Sequence, residues 1–102
     1  MDTDDLSNEL YKAVFSEADS FNHDLSIQFG LVADECDSEK EYETAALTLI
    51  RALRKTEPAN VDDIFFGEVV DREQFLSALQ KIEDNIRAVQ KIPLNKRTFD
   101  AY

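Results

Sequence analysis

The chain has 102 residues and a formal net charge of −11 at pH 7, and 43% of its residues are hydrophobic. This length and hydrophobic fraction fit one globular domain, which excludes a disordered chain and leaves no room for two ordinary domains. The negative charge disfavours nucleic acid or anionic lipid as a partner, and no apolar stretch reaches the ~18 residues of a membrane span.

Only two glycines and two prolines occur in the chain, too few for the many tight turns of an all-β fold. We therefore predict an all-α fold, a small bundle of three to four main helices with one short connecting helix. Residues 1–92 are expected to form this bundle. Residues 93–102 are expected to form a C-terminal tail, either an extended arm or a docked terminus.

The first helix is expected to begin at Thr3, a good N-cap residue followed by Asp4 and Asp5 in the first turn. Apolar residues then recur every three or four positions as far as Phe21. Residues 20–24 are rich in capping residues and predict a break before a second helix. Because the apolar spacing continues nearly in phase, one helix over 4–36 is the alternative.

Ser38 and Glu41 match the S-x-x-E capping box, which predicts a third helix starting there and ending before Pro58. Asn60 is expected to cap a short helix over 61–66 that Gly67 terminates.

The final helix is expected to open at Asp71 with Gln74. Its apolar residues step by four, three, four and three, the most regular spacing in the chain. Pro93 is expected to end it.

The net charge is confined to the first part of the chain. Residues 1–43 contain thirteen acidic and two basic residues, whereas residues 44–102 contain nine of each. Such a distribution predicts an anionic surface that speeds encounter with a cation, although acidic proteins also need a charged surface simply to stay in solution.

From this asymmetry we expect a non-catalytic binding or regulatory module that presents an acidic face to a basic protein or peptide. An inhibitor, an immunity protein or an antitoxin-like protein would fit this description. The expected contact acids are Asp19, Asp24, Asp34, Glu35, Asp37 and Glu41. The apolar segment 64–70, with Phe65 and Phe66, either anchors the partner or closes the core.

A second interpretation is a magnesium-dependent hydrolase. All-helical nucleotide pyrophosphohydrolases carry an E-E-x-x-E motif followed by E-x-x-D, and the spacing of Glu68 and Asp71 resembles the second part. Residues 34–37 resemble the first part only loosely. Under this interpretation Glu35, Asp37, Glu68 and Asp71 would hold the metal.

No other chemistry is indicated by the residue types. His23 is the only histidine and Cys36 the only cysteine, so one chain cannot build a zinc site of four such ligands or an internal disulfide. Cys36 falls on the apolar stripe and is expected to be a buried, inert thiol. We expect no cofactor, no enzymatic activity and a reducing, cytoplasmic location, as the N-terminus also lacks the pattern of a signal peptide. The wide apolar stripes leave a structural homodimer as a third interpretation.

Overall fold

A computed structural model of the chain describes residues 1–99, and the described part is helical, without a strand. In chain order the elements are a 3₁₀ turn Thr3–Asp5, α1 Asn8–Tyr11, a π-helical segment Lys12–Ser16, α2 Glu17–Phe21, α3 His23–Ala33, α4 Glu39–Lys55, α5 Pro58–Ile64, α6 Arg72–Gln90 and a 3₁₀ turn Leu94–Lys96. Because α1, the π-helical segment and α2 run on without interruption, the bundle has four main helices and the short connecting α5. The predicted all-α fold is confirmed.

The predicted break between the first two helices lies at Asn22, and the single helix over 4–36 is not formed. Asn22 has extended backbone angles (φ −166°, ψ 134°) that no helix continues through. Its backbone N–H donates to the carbonyl of Ala18, and its side chain accepts from the N–H of Asp24 at 2.8 Å. One residue thus ends α2 and caps α3.

The start of the first helix was predicted wrongly. Asp2 caps the 3₁₀ turn that contains Thr3, and Leu6 then returns to extended backbone. The helix proper begins at Asn8, after Ser7, whose hydroxyl accepts from the N–H of Leu10 at 3.2 Å. Leu6 is nevertheless buried. It fits the apolar pattern because the turn that contains it packs against the core, and not because it belongs to the helix.

Pro58 does not only follow α4; it also begins α5, where a proline fits because first-turn N–H groups have no helical partner. The short helix therefore runs over Pro58–Ile64, with Glu57 as its N-cap residue, instead of the predicted 61–66 capped by Asn60. The predicted opening of the final helix is confirmed, since Asp71 accepts from the N–H of Gln74 at 2.9 Å.

The helices enclose one core along the long axis of a 41 × 22 × 21 Å body. α6 packs against the π-helical segment, α2 and α4, and α3 packs against α2 and α4. The largest fully buried apolar side chains are Tyr42, Phe29, Phe65, Phe75, Leu10, Leu25, Ile50, Leu79, Ile82, Ile86 and Val14. Within residues 1–99, no helix combines the length and the apolar character that crossing a membrane requires.

The described part of the predicted tail is docked on the bundle. Arg97 is buried, and its guanidinium donates to the carbonyls of Val89 and Ile92 at the end of α6. The N–H of Asn8 donates to the carbonyl of Thr98 at 2.7 Å, while the carboxylate of Glu9 accepts from the Thr98 N–H. Asp100, the last charged residue of the predicted tail, lies outside the described residues.

Candidate functional site

The six acidic residues predicted to form one face fall into two groups. Asp19 and Asp24 flank the turn between α2 and α3, whereas the other four lie at the turn between α3 and α4. The 11 residues of α3 separate the groups by ~16 Å. Asp34, Glu35, Asp37 and Glu41 are exposed together, and we call this part of the molecule the α3–α4 end.

Local hydrogen bonds organise the α3–α4 end. Ser38 caps α4 by accepting from the N–H of Glu41 at 3.2 Å, as the capping box predicts. The Glu41 carboxylate reaches one residue further back than in that motif and accepts from the N–H of Asp37 at 2.8 Å. The Glu41 carboxylate also lies at the positive N-terminal end of α4 and stabilises it, so part of its role is structural.

The N-terminus adds further acids to this end. The amino group of Met1 donates to the carbonyls of Ala33 at 3.1 Å and Cys36 at 2.7 Å, at the end of α3. The following 3₁₀ turn therefore lies beside the α3–α4 end, and it carries the exposed acids Asp2, Asp4 and Asp5. The spacing along the chain gave no indication of this proximity.

Two of the thirteen acids of the first part are not on the surface. Glu39 and Glu43, on the buried side of α4, bind the guanidinium of Arg97 with N–O distances of 2.6 Å and 3.3 Å. Glu39 also accepts from the N–H of Ser7 at 2.5 Å. Within residues 1–99, the remaining Glu43 oxygen has no hydrogen-bond partner, although the Lys40 ammonium lies 3.8 Å away.

The cations of the later helices leave the exposed early acids unpaired. Arg54 and Arg87 both bind Glu83 of α6, at 2.6 Å and 3.3 Å. Among residues 1–99, Lys40 and Arg97 are the only lysine or arginine residues within ion-pair distance of an early acid. Glu17 of the first part and Lys81 of α6 line one shared groove, although they are not within ion-pair distance of each other.

Phe65 and Phe66, which were predicted together either to anchor a partner or to close the core, lie in opposite environments. Phe65 is 1% exposed and packs edge-on against Phe21 and Phe75, with ring centroids 5.9 Å apart in both pairs. It belongs to the core and is not available to a partner. Phe66 is 87% exposed, and Val69 beside it is 84% exposed. Sequence spacing does not separate these outcomes, because the two phenylalanines are adjacent.

The backbone at Phe66 is strained. α5 ends in a Schellman-type turn, in which the N–H of Gly67 donates to the carbonyl of Asp62 and the N–H of Phe66 donates to that of Asp63. The left-handed position of this motif usually holds glycine, but here it holds Phe66, with φ 56°. Gly67, the expected terminator, follows one position later with φ 80°.

The surroundings of Phe66 are acidic, even though residues 44–102 sum to zero charge. Between Thr56 and Asp71 the chain has no lysine or arginine and five acids: Glu57, Asp62, Asp63, Glu68 and Asp71. Asp63 and Glu68 are exposed, whereas Asp62 is partly buried and its carboxylate accepts a hydrogen bond from the N–H of Val70. We call the exposed set Asp63, Phe66, Glu68 and Val69 the Phe66 knob. The predicted segment 64–70 includes Glu68 and Val69, whereas Asp63 lies just before it and was not predicted.

Comparison of the chain with protein-family models, with curated proteins and with solved structures gives no significant match.

The carboxylates of the hydrolase interpretation do not converge. Glu35 and Asp37 precede α4, whereas Glu68 and Asp71 follow α5, so the 17 residues of α4, ~25 Å, separate the pairs. In the described part of the chain, no group of three or more potential ligands could hold a metal ion. The four residues therefore do not form the magnesium site that this interpretation requires.

Cys36 and His23 also lie apart. The Cys36 thiol is buried and donates to the carbonyl of Val32 at 3.3 Å, as expected of an inert cysteine. Burial raises its pKa, and the carboxylate of Glu41 raises it further, which disfavours the reactive thiolate. His23 is exposed at the opposite end of α3, where it contacts Asp19.

Proposed function

We propose that this protein is a non-catalytic binding module for a basic protein, which it contacts through the Phe66 knob. The observation that carries the proposal is the conformation of Phe66. Its backbone is in the left-handed region, and its large aromatic side chain is 87% exposed. Inhibitors, immunity proteins and antitoxin-like proteins are modules of this class.

Folding alone does not account for phenylalanine at this position. A residue with a Cβ in the left-handed region costs about 1 kcal/mol relative to glycine. An exposed ring recovers almost none of that cost through burial. Strained residues that the core does not require are a recognised feature of binding and switch sites. Large aromatic side chains are also common near the centres of protein interfaces.

The charge around the knob specifies the partner. Asp63 and Glu68 lie on either side of Phe66 in the chain, and no base lies between Thr56 and Asp71. We therefore propose that the partner has an apolar pocket rimmed by lysine or arginine. The same charge disfavours nucleic acid, and it disfavours a second copy of this chain, since each copy carries −11.

The acids of the α3–α4 end have a different role in this proposal. They lie about 25 Å from α5, at the other end of α4, which is beyond the reach of a side chain at the knob. Their field attracts a basic partner over long range and raises the association rate without forming contacts. A cytoplasmic location suits the proposal, because a reducing compartment keeps the single cysteine a free thiol.

A pull-down from the native host tests the proposal when three versions of the chain are compared. The natural chain and Leu94→Ala, which truncates another exposed apolar residue, should capture the same basic protein, whereas Phe66→Ala should lose it. With the purified partner, affinity should fall steeply between about 50 and 300 mM salt. Equal capture by Phe66→Ala, or affinity that salt does not change, contradicts the proposal.

Sedimentation of the purified chain distinguishes the homodimer. A monomer over the accessible concentration range is expected because of the net charge. A dimer that Phe66→Ala dissociates would assign the knob to self-association instead.

A further inference from the structure

A groove lies between α3 and the continuous helix of residues 8–21 that α1, the π-helical segment and α2 form, on a surface separate from the Phe66 knob. It has a volume of about 470 Å³ and is lined by Tyr11, Phe15, Ser16, Asp19, Ser20, His23 and Ser26. We call it the Asp19 groove. Its volume falls within the ~300–1,000 Å³ of small-molecule sites.

The π-helical segment shapes the groove. Phe15 and Ser16 belong to this segment, whose wider turns displace side chains from the normal helical stripe. Short π-helical turns occur often at functional sites.

One wall of the groove is aromatic. Tyr11 stacks on Phe15 with ring centroids 4.8 Å apart and an interplanar angle of 28°. Tyr11 remains 44% exposed, so part of its ring faces solvent. Such a wall can hold an alkyl stem by burial, and its π-face can attract a cation.

Asp19 contributes an exposed carboxylate to the lining of the groove, and one of its oxygens is already engaged. Oδ1 of Asp19 contacts His23 Nδ1 at 2.9 Å and accepts from the Ser26 hydroxyl at 3.3 Å. The Ser26 hydroxyl also lies 2.6 Å from the His23 carbonyl, which orders this corner. Among the described residues, no donor reaches Oδ2 of Asp19. That oxygen remains open to a ligand.

We infer that the Asp19 groove binds a cationic group, an ammonium or a guanidinium, carried on a short apolar stem. The cation would lie at Oδ2 of Asp19 and the stem against Tyr11 and Phe15. Of the described residues that line the groove, none is a lysine or an arginine, so an anion would lack a fixed cation to bind it. The inference is independent of the Phe66 knob, and Phe66→Ala should leave the groove unchanged.

Titration with butylguanidinium, followed by backbone amide NMR shifts, tests the site. Saturable shifts at Ser16, Ser20 and Ser26 are expected, with a Kd in the range of about 1 mM that such small ligands reach. Butylurea has the same shape without the charge and should bind at least about tenfold more weakly. Equal binding of the two ligands, or no saturation up to about 20 mM, overturns the inference.

Matched variants separate the groove from general electrostatics. Asp19→Asn should weaken butylguanidinium binding about tenfold, while Glu73→Gln, which removes the same charge from an exposed position on α6, should leave it within about twofold. Tyr11→Ala should also weaken binding, since it removes the aromatic wall. If Asp19→Asn and Glu73→Gln have the same effect, the ligand responds only to net charge and the site is rejected.

Such a cation could come from two sources. One is a small molecule, an alkyl amine or an alkyl guanidine, and the other is an arginine side chain of a protein. An uncharged peptide with one central arginine distinguishes them. Binding of this peptide about tenfold tighter than butylguanidinium assigns the groove to a protein side chain. Tighter binding of the small molecule assigns it to a free metabolite. Either result supports the site, and neither depends on whether the Phe66 knob binds its partner.

Discussion

Arg97 and Glu39 form a buried ion pair across 2.6 Å, although 58 residues separate them in the chain. The same guanidinium binds Glu43 and two carbonyls at the end of α6. One side chain therefore joins the C-terminal segment, the start of α4 and the end of α6. Removing it leaves two carboxylates buried without their cation.

Arg97→Met should lower the free energy of unfolding by about 3 to 5 kcal/mol, the usual cost of removing one partner of a buried ion pair. Urea denaturation followed by circular dichroism measures this loss. Lys96→Met, at the exposed neighbouring position, should change the stability by less than about 0.5 kcal/mol.

A compensating variant keeps this test informative if Arg97→Met does not fold. Combining it with Glu39→Gln and Glu43→Gln removes the uncompensated charges, so much of the lost stability should return. A triple variant no more stable than Arg97→Met would contradict the electrostatic explanation.

Much of the fold follows from local sequence signals. Asn22, Ser38 and Asp71 act as N-cap residues where the capping pattern predicts helix starts. These signals succeed because a cap depends on hydrogen bonds within three residues. At the N-terminus the same reasoning fails, because Ser7 rather than Thr3 begins the helix once Leu6 is buried in extended backbone.

The candidate sites depend on contacts that local pattern does not encode. Glu39, Glu43 and Arg97 count as ordinary surface charges until α4 and the C-terminal segment meet. Phe65 and Phe66 are equivalent in hydrophobicity, and only the turn geometry sends one to the core and the other to solvent. The Asp19 groove needs a π-helical turn, for which no residue in the segment Lys12–Ser16 gives a signal.

Phe66→Gly should be more stable than Phe66→Ala by about 1 kcal/mol, because both lose the ring but only glycine relieves the left-handed strain. Thermal unfolding of the two variants measures the difference. The corresponding comparison at Val69, where no positive φ occurs, should favour alanine. If Phe66→Gly is the less stable variant, the backbone at this position is not strained as described.

Asn85→Ala should lower the free energy of unfolding by about 1 kcal/mol. The Asn85 amide donates to the carbonyl of Ala13 at 3.2 Å and so supports the π-helical segment from α6. Because Tyr11 and Phe15 flank that carbonyl, their amide NMR shifts should move as well. Gln90→Ala, an exposed amide on the same helix, is the control. Unchanged shifts at Tyr11 and Phe15 would show that Asn85 does not shape the Asp19 groove.

The ion pairs of Glu83 make stability depend on pH. A hydrogen bond from Arg54, with a second from Arg87, holds the pKa of the Glu83 carboxyl below its ordinary value. A depressed pKa in the folded state stabilises the protein at pH values above the ordinary carboxyl pKa. That contribution disappears as the pH falls through the folded-state pKa.

Glu83→Gln should therefore be less stable than the natural chain at pH 7, by about 0.5 to 1 kcal/mol because the pair is partly solvated. The difference should shrink towards zero between pH ~4 and the acid limit, where both forms are uncharged at this position. Urea denaturation at a series of pH values measures it. Glu68→Gln, which removes an exposed carboxylate outside the described ion pairs, should show no such trend. A Glu83→Gln deficit that persists unchanged in acid would mean that packing, rather than charge, connects α4 to α6 at this position.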